Sequence, residues 1–472
     1  MRLCTVRSQP SDSSTCIMKF LCTFLALLWF PWIASAQTTH YITPSGAGSQ
    51  NGSDWNNAYA GLPAALTRGD TYVLAGGTYS SRPSLNDSVS GSTYIHIRKA
   101  QAGTYNGIVY NDNLVAGWQS SFQTTQALIS ASCTLFDVST GYYDIDGVQP
   151  GSTFPPPSTS SSYGIELISS NPSSNCALMD IRGTNEIIQH VAVVGAGQCC
   201  DFLQFGMALY DSTTTRVAHC YFIGSQNHIR MLGSRNMVIE YNYIASISYF
   251  SDHHGEQINM LKSPFTGTMP ANTTIRYNWI NDSGTSNTTG QIIDLGNTGD
   301  TNDGVYVYGN VFVNLTGHNG LGSGNSSTPA TLTNWKFYDN TFVNSIVDFS
   351  QISTGSEFIN NLFYGSQAQV FAGSAPATRS NNYWNSTTNG IGSGTGDVIS
   401  SEPTSTLFQN YAGADYRLGV DSQARNIGLT LLSPYNMDAY VVPRIPAWAA
   451  GAFSSGKVGA PASPTNLTAL VN

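Results

Sequence analysis

The 472-residue sequence predicts an all-β chain wound as a parallel β-solenoid. Three observations carry this: an uncharged, strand-prone composition, a repeat with a period near 21 residues, and distinct segments at both ends. Charged residues make up 10% of the chain, against 46 Gly, 25 Tyr and 20 Phe, with Ser, Thr and Asn abundant throughout. Aromatic and β-branched side chains fit a pleated surface, and small hydroxyls and amides serve turns, so this mixture suits many short strands better than helices. The length suffices to bury one extended core.

The N-terminal elements come first. Residues 1–36 read as an N-terminal extension and signal peptide. Met18 opens "MKFLCTFLALLWFPWIASAQ", where Lys19 precedes an apolar run from Phe20 to Ile33 and then Ala34-Ser35-Ala36, the small-x-small pattern of a cleavage site. Residues 1–17 have the character of neither an n-region nor a domain, which makes Met18 a candidate start. The run is too short for a membrane span. The expectation is therefore a secreted chain, extracellular or periplasmic, monomeric and without a membrane span after cleavage. Removing 1–36 leaves 16 basic and 27 acidic side chains, net −11. Such a field argues against a nucleic-acid partner, whereas a locally basic cleft still suits an acidic polysaccharide. Cys133, Cys176, Cys199, Cys200 and Cys220 remain, an odd number without zinc spacing, read as core residues or one or two disulfides.

The helix-like spacing of Trp55, Tyr59, Leu62 and Leu66 predicts an amphipathic N-terminal cap that blunts the first exposed edge, and "DTYVLAGGTY" then opens the first coil. Residues 205–225, 226–246, 255–283 and 290–314 share one plan: a short apolar strand, a polar turn of variable length, a second strand, then Asn or Cys before aromatic and aliphatic residues. Asn242, Asn278, Asn310, Asn340, Asn361 and Asn382 hold equivalent places, the last three 21 residues apart. Each period is one coil, stacked on the next at about 4.8 Å. The asparagines are expected to stack as amides at a turn and satisfy backbone groups coil by coil. The solenoid spans 37–455, and 456–472 form a tail.

Here a resemblance enters. The stretch from His40 to Tyr79, with "ADYRLGVDSQARNIG" (414–428) and "AAGAF" (449–453), resembles the two ends of secreted right-handed parallel β-helix proteins of the pectate-lyase-like superfamily. The resemblance implies a single-stranded right-handed parallel β-helix and a carbohydrate-active protein. The final "PASPTNLTALVN" is similar to the first strand of a fibronectin-type module and stops there.

One stretch concentrates chemistry. "HHGEQINMLKS" (253–263) holds two histidines, a glutamate and Lys262, one of only four lysines after the apolar segment. Aligned repeats put "NHIRMLGS", "EQINMLKS" and "QIIDLGN" on successive coils. With Ile229, Met231, Ile258 and Met260 inward, His228, Arg230, Gln257 and Asn259 face outward as a substrate groove. Asp252, His253, His254 and Glu256 enter at one end of the strand, and Lys262 stands at the other.

Eliminative cleavage of a uronic-acid polymer needs a neutralised carboxylate, a base for the C5 proton and an acid for the leaving oxygen. Lys262 beside Arg230 would have the lowered pKa of a base, with Arg230 or Ca²⁺ meeting the carboxylate. "EQINMLKS" also resembles the catalytic coil of β-helix alginate lyases and chondroitinase B. That resemblance implies Lys262 as Brønsted base and Glu256 as calcium ligand, with Asp252 and Asp294 as further candidates. Those families carry Arg-His-Gly on the next coil, where this chain has Asp294. His254 completes the candidate catalytic set with Lys262 and Arg230; His228, His253, Gln257 and Asn259 are the candidate substrate contacts.

The reading is thus a polysaccharide lyase on an acidic polymer. A glycoside hydrolase using Glu256 and Asp294 as its carboxylate pair is the first alternative, although the chain holds only "NTGD" and "GHNG" against the polygalacturonase motifs. A non-catalytic glycan-binding solenoid is the second.

Overall fold

The computed structural model describes residues 37–454 except 81, 133, 152, 171–175, 197–203, 248–254, 283–287, 295, 316–319, 324–329, 351–354, 373–375 and 447. The expected signal peptide and tail lie outside the described residues. Three long sheets of 14, 12 and 11 strands run through the chain, and each coil visits them in turn. Arg216–Ala218, Tyr221–Ile223 and Asn227–Leu232 make one such coil, followed by Val238–Glu240, Tyr243–Ile244 and Gly255–Leu261. Successive strands of each sheet pair in parallel, as Val217 with Ile239, Phe222 with Ile244, and Ile229 with Ile258. The protein is a parallel β-helix.

Strand parity builds the interior. Phe222, Ile244, Ile280, Phe312, Phe342, Phe363 and Trp384 stand in register in the second sheet. All are at most 1% exposed. Their rings stack face to face near one end, with centroids 4.7 Å apart for Phe312–Phe342, 4.5 Å for Phe342–Phe363 and 4.4 Å for Phe363–Trp384. Coil stacking thus repeats a favourable aromatic contact instead of creating it once.

The turn between the first and second sheets is built the same way. A residue with positive φ (His219, Tyr241, Tyr277, Gly309, Asp339, Asn360, Asn381) reverses the chain, and the next residue is Cys220 or one of the six asparagines. Each asparagine amide nitrogen donates to the next carbonyl oxygen: Asn242 to Asn278 at 2.9 Å, Asn278 to Asn310 at 3.0 Å, Asn310 to Asn340 at 3.0 Å, Asn340 to Asn361 at 3.0 Å and Asn361 to Asn382 at 3.1 Å. That oxygen also accepts the backbone N–H of the asparagine below it. Cys220 N–H heads the column on Asn242, and Asp397 ends it under Asn382.

One expectation changes. The segment from Trp55 to Leu66 forms no amphipathic helix: a single 3₁₀ turn, Trp55–Asn57, leads into a two-residue strand, Tyr59–Ala60, on the edge of the first sheet. Gly61 with φ +73° and Pro63 interrupt the apolar spacing before a helix can propagate. Trp55 packs instead with Tyr41, Ala58, Val73, Ala75 and Ala100. At the other end, residues 407–453 fold back as a strap over the outer side of the coils. Phe408, Tyr416, Leu418 and Phe453 cluster with Trp279, Val311, Tyr338 and Leu362, Tyr416 stacks on Trp279 at 5.6 Å, and Gly451 N–H reaches Asn360 O. Of the cysteines, Cys176 is disulfide-bonded and Cys220 is a free, buried thiol.

Two tests follow. Asn340→Ala strips the acceptor from both Asn310 donors inside the protein, and we expect a loss of about 3 kcal/mol in urea unfolding. Glu186 is fully buried, with Oε2 accepting Tyr143 N–H, and burial pushes its pKa up to about 8. The folded protein then holds a proton that the unfolded chain has released. Stability therefore falls as pH rises from the ordinary carboxyl value towards 8, with a slope of about 1.4 kcal/mol per unit at most. Glu186→Gln should flatten that slope in thermal melts taken across the window.

Candidate functional site on the third sheet

The outer face of the third sheet is set by the inward column. Met207, Ile229 and Ile258 are in register and fully buried in the core, as are Leu209, Met231 and Met260. Their neighbours face the other way, so Ala208, Arg230 and Asn259 occupy one outer column, and Tyr210, Leu232 and Leu261 the next. His228 and Gln257 sit between the pairs Asn227–Glu256 and Ile229–Ile258. Four of the predicted residues are therefore gathered on two adjacent coils.

They do not line an open groove. His228 and Gln257 are fully buried, and Asn259 is 1% exposed. The backbone that leads into the next coil covers them in part: His228 Nε2 lies 3.0 Å from Ala245 O, and Ile247 reaches so close to Gly255 that a Cβ there would meet its Cδ1 at 2.4 Å. Strand parity could place these side chains outward, but it carried no information about what lies over them.

Burial has left polar atoms without partners. Among the described residues Gln257 makes no hydrogen bond through either Oε1 or Nε2, and Asn259 Oδ1, His228 Nδ1 and Arg230 Nε are equally unmatched. Each such atom costs about 1–3 kcal/mol relative to a satisfied one, so a run of them across two coils calls for bound water or a ligand. The Arg230 guanidinium lies over the Phe205 ring at 4.3 Å. Burial lowers its pKa, against the raising influence of Tyr210 and Glu256. Burial likewise pushes His228 down to about 4, so this ring is neutral at physiological pH.

Lys262 is placed by a different mechanism. It follows the strand Gly255–Leu261 and begins a tight turn whose Ser263 Oγ donates to Asp211 Oδ2 at 2.7 Å while accepting Phe265 and Thr266 N–H. Thr266 Oγ1 donates to the other Asp211 oxygen at 2.6 Å. So anchored, Lys262 extends its Nζ to Asp300 Oδ1, 2.7 Å away, with half of its side chain exposed. This hydrogen bond holds the Asp300 carboxyl below its ordinary value. The cationic neighbour expected for the lysine is thus replaced by a carboxylate. Asp211 and Asp300 were hard to foresee as partners: they lie 52 and 38 residues from the groups they hold, and only the coil register brings them close.

The remaining candidates are less well placed. Glu256 is 1% exposed, and its register neighbours Asn227 and Gly290 bring no second carboxylate. Asp294 pairs in register with Met260, in line with a core column, and its side chain lies outside the described residues, as do Asp252, His253 and His254. Among the described residues no three His, Cys, Asp or Glu side chains converge on a metal position. No helix among them is long and apolar enough to cross a membrane.

No family model matches the chain, and no curated protein matches it. Among solved structures the chain is similar to pectate lyase Pel9A, at 14% identity and a TM-score of 0.43, over 89% of this chain and 97% of that one. It is also similar to endopolygalacturonase I from Stereum purpureum complexed with two galacturonates, at 11% identity and a TM-score of 0.25, over 77% of this chain and 92% of that one. The fold assignment rests on the three parallel sheets described above.

If the unmatched amide of Gln257 serves a ligand and not the fold, Gln257→Met should leave the melting temperature unchanged or raise it. A loss of more than about 2 kcal/mol would show that the protein itself uses that amide.

Proposed function

We propose that this chain is a secreted carbohydrate-active protein that binds an acidic polysaccharide on the outer face of the third sheet and cleaves it by β-elimination. The observation that carries the reading is the pair of cations on two adjacent coils of this face: Arg230, whose Nε is unmatched among the described residues, and Lys262, with half of its side chain exposed. A carboxylate-bearing sugar chain offers acceptors to both, and the two cations meet its charge.

In this reading the chemistry divides as follows. Abstraction of the C5 proton moves negative charge onto the uronate carboxylate, and catalysis requires positive groups where that charge develops. Arg230 offers a planar fork with its Nε unspent. Lys262, ion-paired with Asp300, acts as a cation and as the donor to the leaving oxygen, in place of the base role implied by the family resemblance. His254 is then the candidate base. Calcium held by Glu256 with Asp252 is a further proposal, and it would supply charge neutralisation at the same carboxylate.

The test is ultraviolet absorbance of the unsaturated uronate product during incubation with alginate, pectate and glycosaminoglycans, with calcium and with chelator. We expect Lys262→Ala to cut the rate by about a hundredfold or more, and Lys262→Arg, which keeps the charge, to retain about a tenth. Equal loss in both variants would restore the lysine as base. A flat trace on every polymer from the wild-type protein would sink elimination for those substrates.

A further inference from the structure

We infer that Arg182, Tyr210 and Phe265 form a stacking subsite that holds a sugar ring of the same acidic chain next to Lys262. The inference rests on the polysaccharide reading above and adds a contact that it did not include.

The three side chains come from three coils. Tyr210 ends the strand Gln204–Tyr210 on the outer face, in register with Leu232 and Leu261. Phe265 belongs to the turn that begins at Lys262, and its ring centroid lies 5.6 Å from that of Tyr210. Arg182 follows the strand Cys176–Ile181, with its guanidinium 5.6 Å from the Tyr210 centroid and 6.0 Å from the Phe265 centroid. Asp180 orients that guanidinium through Nε and Nη2 at 3.2 and 3.1 Å. Among the described residues Nη1 has no hydrogen-bond partner.

Folding does not account for Phe265. It is 66% exposed, and among the exposed large apolar side chains of the described residues it is the only aromatic ring. Its turn is nonetheless fixed, because Ser263 and Thr266 tie it to Asp211. An exposed ring on an anchored turn has already met much of the ordering cost of a contact, which is what favours a binding anchor.

The chemistry names the occupant. A pyranose presents an apolar C–H face and a polar edge, so an aromatic plane with a hydrogen-bond donor beside it meets both. Where the edge carries a carboxylate, a guanidinium with an open nitrogen suits it better than an ammonium. Coils are spaced by about 4.8 Å, so a chain lying along the helix axis would pass from Lys262 to Phe265 and Tyr210 and on to Arg182.

Binding is the measurement, made with the full chain bearing Lys262→Ala so that no substrate is consumed. Pectate and alginate are the probes, and isothermal titration or affinity electrophoresis is the readout. Adding Phe265→Ala should weaken binding by about five- to tenfold. Phe265→Trp should retain it, and both variants should melt within about 2 °C of the parent. Unchanged affinity in Phe265→Ala, alongside a loss in Arg230→Ala, would overturn the subsite and leave the polysaccharide reading standing. Absence of binding by the parent and by the wild-type chain would remove both.

Discussion

The buried asparagine column is the constraint on which the remaining architecture depends. A side-chain amide in a dry interior must place two donors and an acceptor, and here each one does so by reaching the coil on either side. The amide donates to a strand carbonyl and to the next amide, and its oxygen receives two N–H groups. That pattern can be met only if consecutive coils are aligned at this turn. Alignment at the turn fixes the parity of the strands that follow, and parity decides which side chains of the third sheet face outward.

This explains what could be read from the sequence and what could not. The asparagines, the apolar alternation and the period of 21 are local signals, and they sufficed for the sheets, for the core and for placing Arg230, Gln257 and Asn259 on one face. The covering of that face was not legible, because strand parity distinguishes core from non-core but is silent on whether a later segment lies over the outside. The partner of Lys262 was hidden for a related reason: Asp300 sits in a turn of the following coil, and its carboxylate reaches the lysine only through a register that no local pattern encodes. At the N-terminal cap a glycine and a proline outweighed an apolar spacing that by itself suited a helix.

The outer face of the third sheet departs from the economy seen elsewhere in the molecule. In the asparagine column every polar atom of the amides is spent, whereas fifteen residues on from Asn242 the Gln257 amide has no partner among the described residues. Stability alone would have replaced it with an apolar side chain. The same coils thus satisfy their amides at one corner and leave them unmatched at another: the first corner maintains the stack, and the second belongs to the face on which binding is proposed.

The asparagine column also has a consequence for how such a protein can change. Its members are separated by 36, 32, 30, 21 and 21 residues, yet every amide meets its neighbour at nearly the same distance. Register is therefore kept by contact and not by counting. The connections between successive rungs therefore tolerate a wide spread of length: from 21 to 36 residues separate neighbouring asparagines, and not one amide contact is displaced.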